Sequence, residues 1–139
     1  MIMDSAVLLR ASIGLLPVLC FLVALVAMDS YKLVNLRSVA LVIVMGGVAA
    51  GLSYLANVAL LDALRFDFTT YARTLGPLVE EVMKGMVILV LIRTHRIGFL
   101  VDAAIFGFAV GTGFAMIENL YYLEALADAH IAVWIVRGF

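Results

Sequence analysis

Five polar side chains in two otherwise apolar stretches of the sequence could carry out acid–base chemistry. Glu80, Glu81 and Lys84 lie in the first stretch, and Glu118 and Asn119 lie in the second. A carboxylate can take a proton from water as a general base. An amide can donate a hydrogen bond to a developing oxyanion. The combination is therefore compatible with hydrolysis by an activated water molecule.

The spacing of the first three residues defines their arrangement on a helix. Glu80 and Lys84 are four residues apart, and Glu81 and Lys84 are three apart, so Lys84 can pair with either carboxylate. Because successive residues are about 100° apart around a helix axis, the two glutamates point in different directions. We expect Lys84 to lie between them and to neutralise part of their charge.

The composition places these residues in a membrane protein. The chain has 139 residues, of which 66% are hydrophobic and 14% are charged, and its mean hydropathy is +1.20. A soluble domain is about 45–50% apolar and about 25% charged, so a soluble globular protein is excluded. The net charge of −1 gives no basic field for nucleic acid. Cys20 is the single cysteine and cannot form a disulfide within the chain.

The charge-poor stretches predict an all-α, polytopic membrane helix bundle. A helix needs about 20 apolar residues to cross the hydrocarbon core of a bilayer. We predict a single integral membrane domain over residues 1–139, with Leu64 to Arg73 as a polar connection. The predicted elements are four spans and the start of an incomplete fifth helix, at about 6–28, 39–61, 77–93, 99–123 and 130–139.

Glycines four residues apart predict where these helices approach each other closely. The second span contains Gly47 and Gly51, and the fourth contains Gly107 and Gly111. Small residues at this spacing allow membrane helices to come into backbone contact. We expect the second pair to bring the fourth span against the third, so that Glu118 reaches the cavity of the paired glutamates.

The polar cluster has three interpretations from its chemistry alone. A charged side chain at the centre of a bilayer costs roughly 2.5–3.5 kcal/mol on insertion scales, so these residues must face the interior of the bundle. Such residues can catalyse a reaction, can carry protons or ions in a transporter, or can form an ion-pair network that fixes helix packing.

Two motifs of the sequence resemble those of the PrsW family of intramembrane proteases. Residues 80–84 resemble its E-E-x-x-K motif, and residues 113–119 resemble its G-F-x-x-x-E-N motif. The resemblance extends from Gly76 to Tyr122, and both motifs occur in the expected order on adjacent predicted spans. Three further residues fit the usual pattern of the family: Pro77, Arg96 and Asp102.

The resemblance implies a polytopic helical fold and peptide hydrolysis within the membrane. The family belongs to a wider group with the type II CAAX prenyl endopeptidases. By this resemblance Glu80 and Glu81 activate water and Lys84 tunes their charge. Glu118 acts as a metal ligand or proton carrier, and Asn119 donates to an oxyanion or to the substrate.

The resemblance also implies a cofactor, partners and a location. A divalent metal such as zinc would bind Glu80, Glu81 and Glu118, or the glutamates would activate water without a metal; both mechanisms stay open. The implied partners are the lipid bilayer and a membrane-anchored protein substrate, with no nucleic acid. The implied location is the cytoplasmic membrane of a bacterium or archaeon.

One motif of the family is missing from the sequence. The third motif places a histidine on a later helix, whereas His130 follows the fourth predicted span too closely to match it. Arg137 to Phe139 resembles the residues that lead into that motif. We therefore expect the chain to stop before its last catalytic helix and not to have full proteolytic activity. The alternative function is a non-catalytic scaffold, or a transporter, that uses the Glu/Lys cluster for helix packing.

Overall fold

The structure is α-helical throughout the part of the chain that it describes. A computed structural model describes residues 5–28 and 34–125. Its helices are α1 (Ser5–Met28), α2 (Leu36–Leu64), α3 (Phe68–Arg73), α4 (Leu75–Arg93) and α5 (Leu100–Ala125). The predicted all-α class is confirmed for these residues. The predicted helix at 130–139, with His130, lies outside the described residues.

Local hydrogen bonds fix both ends of α2. At its start, the Asn35 side chain accepts a hydrogen bond from the backbone N–H of Arg37 at 2.9 Å, which satisfies an N–H that has no partner within the helix. At its end, Arg65 adopts a left-handed conformation with φ of 50°, and its N–H donates to the carbonyl of Leu61. This residue therefore takes the position that glycine often occupies after a helix.

A short helix occupies most of the segment that the sequence analysis assigned to a polar connection. Asp67 precedes α3, and its carboxylate accepts a hydrogen bond from the N–H of Thr70 at 3.2 Å. Tyr71 of α3 is 4% exposed, so this helix is packed against the bundle. The predicted polar connection therefore contains a short helix, because an N-cap and one buried aromatic side chain suffice to order it.

The N-termini of α4 and α5 are stabilised in two different ways. Pro77 lies in the first turn of α4, where a missing N–H breaks no helical hydrogen bond. The Asp102 carboxylate accepts hydrogen bonds from the N–H groups of Gly98 at 3.1 Å and Phe99 at 3.0 Å. Asp102 thus supports the N-terminus of α5, at the opposite end of the helix from Glu118.

Within the described residues, α5 is the central helix of the bundle. It packs against α1, α2 and α4, and α2 also packs against α4. The buried core includes Val42, Ile105 and Val110. Because α4 and α5 are joined by a short turn, the start of α4 and the end of α5 lie at the same end of the bundle, together with the end of α2.

Two of the described helices have the length and apolar composition of membrane spans. These are Leu36–Leu64 and Leu100–Tyr121. The apolar stretch found in α1 is shorter, Leu15–Ala27, and α4 is interrupted by the charges of its E-E-x-x-K segment. The spanning of the membrane by α1 and α4 therefore stays a prediction.

Two glycines bring the backbones of α2 and α5 into direct contact. A Cβ atom added to Gly46 would overlap the carbonyl of Val110, and one added to Gly113 would overlap the carbonyl of Ile43. The predicted contact through Gly107 and Gly111 is wrong, because no atom of the described residues outside α5 lies within 4 Å of a Cβ atom added to either glycine. The glycine contact therefore joins α5 to α2 and not to α4.

The two glycines of the predicted pair on α2, Gly47 and Gly51, have different surroundings. A Cβ atom on Gly47 would lie 3.4 Å from the Ile117 side chain, whereas one on Gly51 would meet nothing within 4 Å. Spacing alone identified a close approach on α2, but it did not identify the glycines that make the tightest contacts.

This packing predicts opposite effects for the same substitution at two sites on α5. Gly113→Ala should lower stability by about 1–3 kcal/mol, because the added methyl group overpacks the contact with α2. Gly107→Ala is the matched control and should be neutral or stabilising, because alanine favours a helix by about 1 kcal/mol over glycine. Circular dichroism recorded while each variant is heated in detergent gives its unfolding temperature. Equal unfolding temperatures for the two variants would contradict the proposed contact.

Candidate functional site

A cavity of about 420 Å³ lies at the end of the bundle where α2 and α5 end and α4 begins. The three helices contribute apolar, aromatic and polar side chains to its wall. Its lining consists of Ala50, Gly51, Ser53, Tyr54, Asn57, Glu80, Phe114, Ile117, Glu118 and Tyr121. A second part of the same depression extends from these residues towards α3, where Tyr71, Gly76 and Pro77 line it.

Three of the polar lining residues, Asn57, Glu80 and Glu118, lie at similar distances from the ends of their helices. Glu80 is five residues after the start of α4, and Asn57 and Glu118 are each seven residues before the ends of α2 and α5. With a rise of about 1.5 Å per residue, these positions are about 8–10 Å from the helix ends. These three residues therefore lie at the same end of the bundle.

The structure brings Glu80 and Glu118 to the same cavity. Both side chains are half-buried, and both line the two parts of the depression. The contact of Gly113 with α2 fixes the position of α5, and Phe114 and Glu118 follow on the side that faces the cavity. Two carboxylates from different helices can therefore act on one molecule held between them.

Glu81 does not line this cavity. Its side chain is 71% exposed, and its Oε1 atom accepts a hydrogen bond from Lys84 Nζ at 2.8 Å. The same ammonium group lies 4.5 Å from the centre of the Phe114 ring, a favourable cation–π arrangement. The expectation that all the glutamates share one cavity is therefore wrong for Glu81, because it is rotated about 100° from Glu80.

Asn119 is buried beside the cavity but does not line it. Its side chain is 4% exposed, and the neighbouring Glu118 is the member of the pair that faces the cavity. The role of Asn119 as a donor to an oxyanion or to the substrate stays a prediction.

Sequence reasoning missed three polar residues at this site. Ser53 and Asn57 lie one turn apart on α2 and line the cavity, and Tyr71 of α3 donates a hydrogen bond to Asn57 Oδ1 at 2.9 Å. Their signal was present, since a serine and an asparagine four residues apart interrupt an apolar predicted span. It was weaker than the signal of the glutamates because uncharged polar residues are less costly in lipid.

Two tyrosines stand at the edge of the cavity. Tyr54 of α2 and Tyr121 of α5 are each more than half exposed. Their ring centroids are 5.8 Å apart with an interplanar angle of 49°. An offset pair of this kind is favourable for aromatic rings, and it forms part of the wall between the cavity and the surroundings of the bundle.

The described residues supply only part of a metal site. A catalytic zinc ion usually has three protein ligands, and of the three candidates from the sequence only Glu80 and Glu118 line the cavity. Across residues 5–28 and 34–125, no group of three or more His, Cys, Asp or Glu side chains lies close enough to hold a metal ion. The described residues alone therefore do not fit a complete metal site.

The arrangement as a whole suits the hydrolysis of a polar bond brought into an apolar environment. Glu80 and Glu118 can accept protons from a water molecule, and Asn57 offers a hydrogen-bond donor. Phe114 and Ile117 supply apolar wall on the same side of the cavity as Glu118. Such a mixture of apolar wall and few polar groups is typical of a ligand site.

Comparison with known proteins gives one family. Neither a search of curated proteins nor a search of solved structures found a match. A family model described as PrsW family intramembrane metalloprotease matches residues 35–139, which include α2 to α5 and every residue of the cavity. Since this match covers more than half of the sequence, the chain belongs to the PrsW family of intramembrane metalloproteases.

Proposed function

We propose that this protein hydrolyses a peptide bond of a membrane-anchored protein in the cavity between α2, α4 and α5. The observation that carries the proposal is that Glu80 and Glu118 line one cavity in a member of a protease family. Membership of that family favours a protease over the scaffold and the transporter that the sequence alone left open.

In the proposed reaction Glu80 is the general base. Its carboxylate takes one proton from a water molecule, whose oxygen forms a bond to the carbonyl carbon of the substrate. The carbonyl electron pair moves to its oxygen and gives a tetrahedral oxyanion. When this intermediate collapses, the C–N bond breaks and the proton held by Glu80 passes to the leaving nitrogen. Glu118 orients the water from the α5 side and carries protons.

We assign a different role to Glu81 and Lys84. Their ion pair lies on the surface of α4, and the ammonium group of Lys84 contacts the face of Phe114. The pair holds α4 against α5 and so fixes the separation of Glu80 and Glu118. By this assignment Glu81 is a positioning residue that acts through Lys84.

The substrate must enter the cavity in an extended conformation. In a transmembrane helix the backbone carbonyls are hydrogen-bonded within the helix, so a scissile carbonyl is accessible only where that helix has ended or unwound. Glu80, Asn57 and Glu118 lie about 8–10 Å from the helix ends, where unwinding exposes the fewest unsatisfied groups to lipid. We therefore propose that cleavage occurs close to the membrane surface.

Substitution of the two adjacent glutamates separates these roles. Glu80→Gln should reduce cleavage at least about 100-fold, because it removes the general base. Glu81→Gln should reduce it less than about fivefold, because a partly exposed ion pair contributes about 1 kcal/mol or less. The measurement is the rate at which new protein N-termini form in membranes of the native host. The gene for this protein is deleted from that host, and the full-length wild type or one variant is expressed in its place.

The two variants control for each other, because they make the same change on adjacent residues. Membrane levels of both proteins must equal that of the wild type. Cleavage that continues at the wild-type rate in the Glu80→Gln strain would refute the proposed function. A complete loss in the Glu81→Gln strain would refute the division of roles.

The depth of the cavity predicts the position of the cleaved bond. New N-termini that depend on Glu80 should lie within about seven residues of one end of a substrate's transmembrane segment, given a helical rise of about 1.5 Å per residue. Mass spectrometry of the labelled N-termini gives these positions directly. Cleavage at the middle of the segment would show that the substrate enters deeper than the cavity allows.

A further inference from the structure

We propose that Asn57 of α2 is the catalytic residue that stabilises the oxyanion, and that Tyr71 of α3 holds its amide in the required orientation. This inference rests on the proposed function, and it assigns to a residue outside both sequence motifs the donor role first expected of Asn119. Neither Asn57 nor Tyr71 is within the motifs at residues 80–84 and 113–119.

The position of Asn57 is the first argument. Its side chain lines both parts of the depression, as do Glu80 and Glu118. An oxyanion forms on the carbonyl that the activated water attacks, so its donor must share the cavity with the general base. Asn57 meets that requirement, whereas Asn119 does not line either part.

The hydrogen bond from Tyr71 is the second argument. Tyr71 is 4% exposed, and its hydroxyl group donates to Asn57 Oδ1 at 2.9 Å. A carboxamide has one acceptor oxygen and one donor nitrogen. Because the oxygen is engaged with α3, the Nδ2 group is the end that remains to bind a substrate. A donor that is fixed before the substrate arrives needs no reorganisation during the reaction.

The other polar groups of the cavity are less suited to this role. An ionised carboxylate only accepts hydrogen bonds, and the proton that a glutamate takes up in the reaction is needed by the leaving nitrogen, so Glu80 and Glu118 are less suited to stabilise the oxyanion. The hydroxyl groups of Tyr54 and Tyr121 belong to side chains that are more than half exposed at the edge. An amide supported from behind by a buried phenol is the better-placed donor.

Ser53 adds an independent observation on the same face of α2. It lies one turn before Asn57, is 1% exposed, and lines the cavity. Its Oγ atom has no hydrogen-bond partner among the residues that the structure describes. A buried hydroxyl group without a partner is costly, and a substrate backbone group bound beside Asn57 would satisfy it. The two side chains together form a polar strip for an extended peptide.

The experiment compares Asn57→Leu with Tyr71→Phe in the full protein. The probe is a fluorophore- and quencher-labelled peptide that spans a cleavage site mapped in the host membranes. Each variant breaks the single hydrogen bond between α2 and α3, but only Asn57→Leu also removes Nδ2. We expect Asn57→Leu to lower kcat about 100-fold and to leave KM within about twofold of the wild-type value. We expect Tyr71→Phe to lower kcat less than about tenfold. Asp62→Asn, on the exposed side of α2, is the control.

The outcomes distinguish catalysis from packing. Equal losses in the two variants, or no loss in Asn57→Leu, would overturn the role of Asn57 and leave only a structural bond to Tyr71. If Asn57→Leu fails to fold, Asn57→Asp keeps the acceptor for Tyr71 and replaces the donor. A wild-type kcat in that variant would overturn the proposal. Glu80→Gln is measured in parallel: if it stays active, the proposed function has failed, independently of Asn57.

Discussion

The contact between the backbones of α2 and α5 is the constraint on which the site depends. Gly46 and Gly113 have no space for a side chain, since each lies against a main-chain carbonyl of the other helix. This crossing fixes the rotation of α5, and the rotation directs Phe114 and Glu118 towards α2 and α4. The contact with α2 therefore explains why the G-F-x-x-x-E-N segment begins with a glycine, Gly113. The same contact orients Glu118, five positions later.

The adjacent glutamates of α4 show how a helix divides similar residues between different environments. Glu80 lines the cavity, whereas Glu81 lies on the surface in an ion pair with Lys84. The angle of about 100° between successive residues is sufficient to separate them. Lys84 also contacts Phe114 of α5, so the paired charges connect two helices, while the Glu80 carboxylate lies at the cavity.

The site draws on α2 and α3 as much as on the two motif-bearing helices. Ser53 and Asn57 supply its uncharged polar groups, and Tyr71 connects Asn57 to the short helix between α2 and α4. Gly76 lies close to Tyr71, with its Cβ position 3.5 Å from the Tyr71 carbonyl oxygen, so the start of α4 packs closely on α3. The connection between the second and third predicted spans thus forms one wall of the site.

The sequence by itself determined the helical class and the approximate helix positions, and it singled out the glutamates as candidates, because apolar runs and charges in lipid are strong local signals. It also identified the family, since two motifs in order are specific. The tertiary structure alone decided that Gly46 and Gly113, not Gly107 and Gly111, make the close contact, and that Glu81 lies outside the cavity. It also revealed Asn57 and Tyr71 as partners. These facts depend on helix rotation and on contacts between residues distant in sequence, which residue spacing within one helix does not specify.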